Sequence, residues 1–318
     1  LATLQLGADK PRFFSGAANY ATTFSPASNF FYECSGLTDN SCMSTSSLTP
    51  QTLAFIGGGN MASAIIGGLI KQGTPANNIL VVEPFDAARQ RLQAEFAVRV
   101  LPQADSTLNE AGLVVWAVKP QTFKEAAQQT SAHCQEALHL SVAAGIRSDS
   151  IAHWLGTERV VRAMPNTPAL VGLGQTGLFA REAVTASDKS WIEQVVATTG
   201  AFLWVDQEPL LDAVTAISGS GPAYVFFFIE AMVEAGVKMG LTTEQATQLA
   251  IGTFEGASQL AKTASEPPSV LRERVTSKGG TTYAALSSLQ NAHVGDLFQT
   301  ALKAAQQRAH ELGDEFGA

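Results

Sequence analysis

The sequence predicts an α/β chain: a doubly wound, mainly parallel sheet followed by an all-α domain. Three observations carry that expectation. From Leu53 to about Val205, short apolar runs alternate with stretches of helical period, the pattern of strands joined by crossover helices. After about Pro209 the short runs stop and only long helical patterns remain. The first apolar run ends in three glycines, Gly57, Gly58 and Gly59, where a strand should hand over to a helix. The expected domains are residues 49–208 for the sheet and 209–318 for the helices, with residues 1–48 an unpatterned extension.

Taken in order, the strand-like runs are Thr52–Ile56, Ile79–Val82, Leu113–Val118, Leu138–Ala143 and Val160–Ala163. Helix-like segments lie between them at Met61–Gln72, Asp86–Glu95, Thr122–Gln129 and Ser148–Leu155. Gly177–Ala180 and Phe202–Val205 flank a helix from about Ser187 to Thr199 and would extend the sheet. In the second half, Pro222–Met239 has proline in its first turn and Gly240 at its stop. Thr242 with Gln245 forms a capping-box pattern opening a helix to about Ala264, which Pro267 and Pro268 end. Helices at Ser269–Val275, Tyr283–Leu289 and Val294–Leu312 complete the pattern. Val225, Phe226, Phe227, Phe228, Ile229, Met232 and Val233 cover more than one helical face, which predicts burial against a second copy or, alternatively, a central place in a monomeric bundle.

Composition excludes several classes. Across 318 residues the net charge is −8, with no dense Lys/Arg run, so neither nucleic acid nor an anionic membrane surface is an expected partner. No uninterrupted apolar stretch approaches the ~20 residues of a membrane helix. The cysteines (Cys34, Cys42, Cys134) form no disulfide framework and the histidines show no metal-ligand spacing, so a cytoplasmic, metal-free protein is expected. Residues 1–48 lack the organisation of a secretory signal. Residues 1–42 read as sequence added upstream of a native start at Met43, or alternatively as a genuine leader.

The chemistry begins at the glycines. Gly57-x-Gly59-x-x-Ala62 matches the G-x-G-x-x-G/A dinucleotide fingerprint of a Rossmann-type fold. Gly57 would permit the tight turn, Gly59 would let a pyrophosphate approach bare backbone, and Ala62 would let the helix lie close to its strand. The helix start would then offer N–H groups and a partial positive charge. Glu83, at the end of the second strand, could accept hydrogen bonds from the adenosine ribose and repel a 2′-phosphate, whereas Arg89 and Arg91 could meet one. The cofactor is therefore NADH or NADPH, with the charge logic leaning to NADH. Ala117, Lys119 and Pro120 close the third strand and face the cleft, unless Lys119 is only a solvated strand end. Asn166, bracketed by prolines in MPNTP, is either an ordinary turn residue or a fixed polar contact near the nicotinamide. TSKGGTT, Thr276–Thr282, places two glycines among hydroxyl residues just before a helix, either a turn or a nest of N–H groups for a carboxylate. SGSGP, Ser218–Pro222, reads as a hinge or a cleft wall.

Together these motifs resemble one family. FIGGGNMASAIIGGL, AVKPQ, MPNTPALVGLG, AISGSGPAY, VKMGL and VTSKGGTT, in that order from Leu53 to at least Leu312, are similar to pyrroline-5-carboxylate reductase. The resemblance implies a Rossmann domain followed by a helical dimerisation domain, and NAD(P)H-dependent reduction of 1-pyrroline-5-carboxylate to L-proline, commonly with NADPH. It also implies homodimers that assemble further, usually into decamers. By position, Ile56, Gly57, Gly58, Gly59, Asn60 and Met61 would hold the pyrophosphate, while Ala117, Lys119, Pro120 and Asn166 would border the nicotinamide. Ser277, Gly279, Gly280 and Thr281 would hold the substrate carboxylate, and the Thr282 hydroxyl would face the ring nitrogen. Lys278, where relatives often have proline, and the acidic Glu83 depart from the pattern. Two rival readings are a 3-hydroxyacid-type dehydrogenase, whose helical lysine would be Lys238, and a non-catalytic dinucleotide-binding redox sensor.

Overall fold

A computed structural model describes residues 52–317. The expectations for residues 1–48 lie outside the described residues. The strands are β1 (Thr52–Ile56), β2 (Ile79–Val82), β3 (Arg99–Leu101), β4 (Ala111–Trp116), β5 (Leu138–Ser141), β6 (Val160–Met164), β7 (Gly174–Ala180) and β8 (Gly200–Trp204). They form one sheet in the order β3-β2-β1-β4-β5-β6-β7-β8. The first helices are α1 (Asn60–Lys71), α2 (Asp86–Phe96), α3 (Pro120–Thr130), α4 (Ser148–Leu155) and α5 (Ala186–Ala197).

Alternation along each strand explains the two-sided packing. In β1, Leu53 and Phe55 join a cluster with Ile65 and Ile66 of α1, Val81, Val115 and Ile192. Ala54 and Ile56 point the other way, into a cluster with Trp116, Phe123 and Ala127 of α3, and Ile151 of α4. Such a sheet has both faces covered, so its strands read as continuous apolar runs rather than alternating ones. Two features were not expected. The three-residue β3 is too short, and begins with an arginine, to stand out as an apolar run. Strand β7 runs antiparallel to β6, while β8 is parallel to β7. The reason is the connection. β6 and β7 are joined by a 3-10 turn, Thr167–Val171, with no crossover helix, and a short return leaves only the antiparallel pairing.

His139 sits in β5 with Nδ1 accepting from Trp116 Nε1 at 3.0 Å, while its Nε2 has no partner. Burial pushes its pKa down to about 4 from the usual 6.5. It is therefore neutral in the fold while the unfolded chain binds a proton below about pH 6.5. Stability should be intact above that pH and fall as the pH drops towards 4, by ~3 kcal/mol in all. Urea unfolding at stepped pH should show this loss in the wild type and less of it in His139→Asn, which retains an acceptor for Trp116. An equal acid sensitivity in the two would assign the loss to other groups.

After β8 the chain is helical: α6 (Leu210–Val214), α7 (Gly221–Lys238), α8 (Thr243–Thr263), α9 (Pro268–Arg274), α10 (Thr281–Asn291) and α11 (Val294–Phe316). α6 and α7 are one helical run joined through a π turn, Thr215–Gly219, closed by Ser220 N–H donating to Thr215 O at 2.8 Å. The SGSGP hinge reading is thus replaced by a π turn running into the first residues of a helix. The whole run, Leu210–Lys238, is long and apolar enough by length and composition to cross a membrane. It contains no uninterrupted apolar run of that length; Ala, Val, Ile, Leu, Met and Phe carry the mean hydropathy across the interspersed Gly, Ser and Thr. Phe226 and Phe227 are exposed on it, and little of it is buried within one chain.

The end of α11 returns to the sheet. Gly145, after β5, lies against Leu312. Arg147 pairs with Asp212 of α6 at 3.3 Å and meets His310 Nδ1 at 2.9 Å. The Glu208 carboxylate accepts from Ser148 N–H and Oγ, both at 2.6 Å, and pairs with Arg162 of β6. These contacts anchor the helical segment near the carboxyl ends of the central strands, where ligands of such sheets bind.

Candidate active site

The glycine loop lies between β1 and α1. Gly57 has φ +94°, and a Cβ there would stand 2.7 Å from Ala117 O, so both the turn and the contact with the end of β4 need glycine. Ala62 is fully buried against the sheet. Gly59 is the N-cap of α1, with no side-chain cap, and a Cβ there would have nothing within 4 Å. The first two amides of the loop, however, are already used. Gly57 N–H donates to Val82 O at 2.8 Å, and Gly58 N–H donates to Glu83 Oε2 at 2.8 Å. The donors left for an anion are those that open the helix, at Gly59, Asn60 and Met61. This corrects the picture of a loop offering all three glycine amides. Gly57 and Gly58 build the turn, and the helix start presents the N–H groups. The space over Gly59 and the uncapped helix start fit a dinucleotide pyrophosphate.

Around this loop, Ile56 ends β1 and its carbonyl accepts from Ala117 N–H at 2.9 Å. Lys119 is the N-cap of α3 and Pro120 its first residue. Glu83 is almost completely buried. Its Oε1 accepts from Phe85 N–H at 3.0 Å. Asn166 is also buried. Its Nδ2 donates to Ser218 O at 3.0 Å and its Oδ1 accepts from Gln175 N–H at 2.9 Å. The side chain therefore ties the loop after β6 to the π turn before α7. Both ends of the Asn166 amide are thus engaged within the protein, an arrangement more specific than that of an ordinary turn residue.

The second loop repeats the logic of the first. Gly279 has φ +77°, and Gly280 is the N-cap of α10 with no side-chain cap. Gly280 N–H donates to Ser277 O at 3.0 Å, and a Cβ on Gly280 would come within 2.6 Å of Ser277 Oγ. Gly280 is thus not a free donor, in contrast to the sequence expectation. The N–H groups of Thr281 and Thr282 stand at the uncapped start of α10. Each loop is a glycine turn that uses its own early amides and leaves an anion-ready helix start.

A family model for pyrroline-5-carboxylate reductase dimerisation matches residues 208–312, and one for coenzyme F420-dependent NADP oxidoreductase matches residues 52–145. The pyrroline-5-carboxylate reductase of Pseudomonas aeruginosa is 44% identical over 271 residues, 85% of this chain and 99% of that protein. The chain belongs to the pyrroline-5-carboxylate reductase family. It is an NAD(P)H-dependent oxidoreductase of proline biosynthesis, with a Rossmann-type sheet followed by the family's helical segment. Among solved structures, the pyrroline-5-carboxylate reductase of Coxiella burnetii is 37% identical with a TM-score of 0.78, covering 83% of this chain and 98% of its own. That of Plasmodium falciparum, solved with NADP bound, is 28% identical with a TM-score of 0.74, covering 82% and 98%.

Family membership displaces the 3-hydroxyacid dehydrogenase reading. Lys238, the lysine which that reading needed, ends α7 highly exposed, 3.9 Å from Glu234 one turn earlier. Sequence reasoning passed over several exposed apolar residues near these loops. Phe85 is 72% exposed immediately beyond Glu83. Leu170, Val171 and Leu173 are exposed on the loop that Asn166 anchors. A lone large apolar residue in a polar turn, as at Phe85, was the available signal. Ser218, which Asn166 reaches, and Gly58, which Glu83 reaches, had none, because they lie 52 and 25 residues away along the chain.

Proposed function

We propose that the chain reduces 1-pyrroline-5-carboxylate to L-proline, with NAD(P)H at the start of α1 and the substrate carboxylate at the start of α10. The observation that carries this reading is the pair of glycine turns, each leading into an uncapped helix start. One suits a pyrophosphate and the other a carboxylate, each through main-chain N–H groups. Residues 49–208 carry the cofactor. Residues 209–318 carry the substrate and the dimer contact.

The nicotinamide, when bound, supplies the hydride. The protein positions and stabilises. Gly59, Asn60 and Met61 hold the pyrophosphate by main-chain N–H groups, with Ile56, Gly57 and Gly58 forming the turn beneath. Ala117, Lys119 and Pro120 border the nicotinamide side, and Asn166 fixes the loop opposite. Thr281 and Thr282 N–H groups hold the carboxylate, with Ser277 and Gly279 shaping the turn. The Thr282 hydroxyl lies against the imine nitrogen. A threonine hydroxyl is a poor acid, so its main contribution is orientation.

The chain acts in the cytoplasm as a homodimer joined through its helical segment, with dimers assembling into a decameric ring. The exposed Phe226 and Phe227 of α7 support burial by a second copy, in preference to lipid. The start of α10 in one subunit then faces the dinucleotide of its partner.

Thr282→Ala is expected to lower kcat/KM for the imine about 10- to 100-fold. Thr282→Ser should recover most of that, and the dinucleotide Kd should stay within about twofold. Turnover is followed as loss of reduced-nicotinamide absorbance. Undiminished kcat and KM in the alanine variant would remove Thr282 from the mechanism. Absence of any turnover of the imine by the wild type would favour the redox-sensor reading.

A further inference from the structure

Glu83 and its neighbours form a cross-braced corner beneath the adenosine end of the cofactor cleft. The Glu83 carboxylate takes two main-chain N–H groups, from Gly58 at 2.8 Å and Phe85 at 3.0 Å. A Cβ on Gly58 would fall 3.3 Å from Glu83 Oε2 and 2.5 Å from Leu92 Cδ1, so only glycine lets the carboxylate reach that amide at this packing. From the other side, Arg91 donates to Gly58 O at 2.8 Å. The peptides on both sides of Gly58 are thus pinned, one by a carboxylate and one by a guanidinium.

The two arginines that could have received a phosphate are directed elsewhere. Arg89 donates through one nitrogen to Glu83 O at 2.8 Å and Pro84 O at 2.7 Å, and through another to Asp86 at 3.0 Å. Arg91 is held by Gly58 O. Neither presents an uncommitted two-nitrogen fork, which is the arrangement that grips a phosphate. The carboxylate has the opposite standing. Two of its roughly four acceptor positions are used, which leaves capacity for ribose hydroxyls.

We propose that Glu83 selects the dinucleotide lacking a 2′-phosphate, so that this chain works with NADH in preference to NADPH. The inference rests on the dinucleotide reading of the glycine loop. It deepens that reading by naming the cofactor and the residue that chooses it. The ribose hydroxyls donate to Glu83. A 2′-phosphate in the same place meets the carboxylate, and neither arginine beside it can turn a whole fork to that phosphate without giving up its present bonds.

The test measures binding as well as rate. Dissociation constants for NAD+ and NADP+, and for AMP and adenosine 2′,5′-bisphosphate, are obtained by titration calorimetry on the full chain, its Glu83→Gln variant and its Glu83→Ser variant. The wild type should bind NAD+ at least about tenfold tighter than NADP+, a difference of about 1.4 kcal/mol. AMP should likewise exceed the bisphosphate, and kcat/KM with NADH should exceed that with NADPH. Both variants should shrink or invert these ratios. Glu83→Gln retains an acceptor for the Gly58 amide, which limits any loss of fold. A purely structural brace would weaken both dinucleotides together and leave the ratio unchanged. That outcome, or a wild type that binds NADP+ as tightly as NAD+, overturns the proposal. If the imine is not turned over but the binding ratio moves as stated, the reductase reading fails and the selection by Glu83 stands.

Discussion

Gly59→Val is expected to leave the fold intact and to weaken dinucleotide binding by more than about 100-fold, equivalent to about 2.7 kcal/mol. Gly59 has φ −74° and ψ −171°, a conformation open to any residue, and a Cβ there meets nothing within 4 Å. The folded chain therefore accepts a side chain, at a cost of no more than about 1 kcal/mol for a poorer helix cap. That side chain stands where a pyrophosphate must touch the start of α1. Gly57→Ala provides the contrast. Its φ of +94° and the 2.7 Å approach to Ala117 O make it a lesion of the fold, costing more than about 2 kcal/mol. Calorimetric titration with NAD+ and NADP+ alongside thermal unfolding separates the two. A Gly59→Val protein that binds dinucleotide normally would remove the cofactor from this loop.

Gly280→Ala is expected to act on the other ligand alone. Its Cβ would fall 2.6 Å from Ser277 Oγ, which must rotate away, and 3.2 Å from Ser277 O, so the turn must give by a few tenths of an ångström. The N–H groups of Thr281 and Thr282 then lose their aim. A displacement of about 1 Å at such a site lowers the efficiency of reaction on the order of 100-fold, so this smaller shift should cost roughly 3- to 10-fold. The loss should appear in kcat/KM for the imine, with the dinucleotide Kd unchanged within about twofold. Parallel losses for both ligands would mean general damage to the fold and count against the carboxylate site.

The legible part of the fold is the part encoded locally. The strand Thr52–Ile56, the three glycines and the helix after them occupy consecutive residues, and the structure sets β1 and α1 within a residue of the expected limits. Capping at Thr242 and Gln245 was likewise readable and is present as a reciprocal pair. What escaped depends on distant neighbours. The sense of β7 follows from the length of a connection rather than from the composition of the strand. The π turn at Thr215–Gly219 carries no periodicity of its own, since it interrupts one. In the site, the presence of the glycines was legible but the fate of their amides was not. Gly58 is used up by a carboxylate 25 residues away, and Gly280 by the carbonyl of Ser277. Asn166 shows the same limit, because its partner Ser218 lies 52 residues further on. The exposure of Phe226 and Phe227 was foreseeable from a helix apolar on more than one face, whereas what covers them is a property of the assembly.

The most direct test is a crystal structure of the full chain grown with NAD+ and L-proline together. The account predicts a pyrophosphate on the N–H groups of Gly59, Asn60 and Met61 and a proline carboxylate on those of Thr281 and Thr282. The carbon beside the proline nitrogen should lie about 3–3.5 Å from C4 of the nicotinamide, the separation that transfer demands. A dinucleotide bound away from the start of α1, or a proline held in a cavity that does not open onto the nicotinamide, would contradict it.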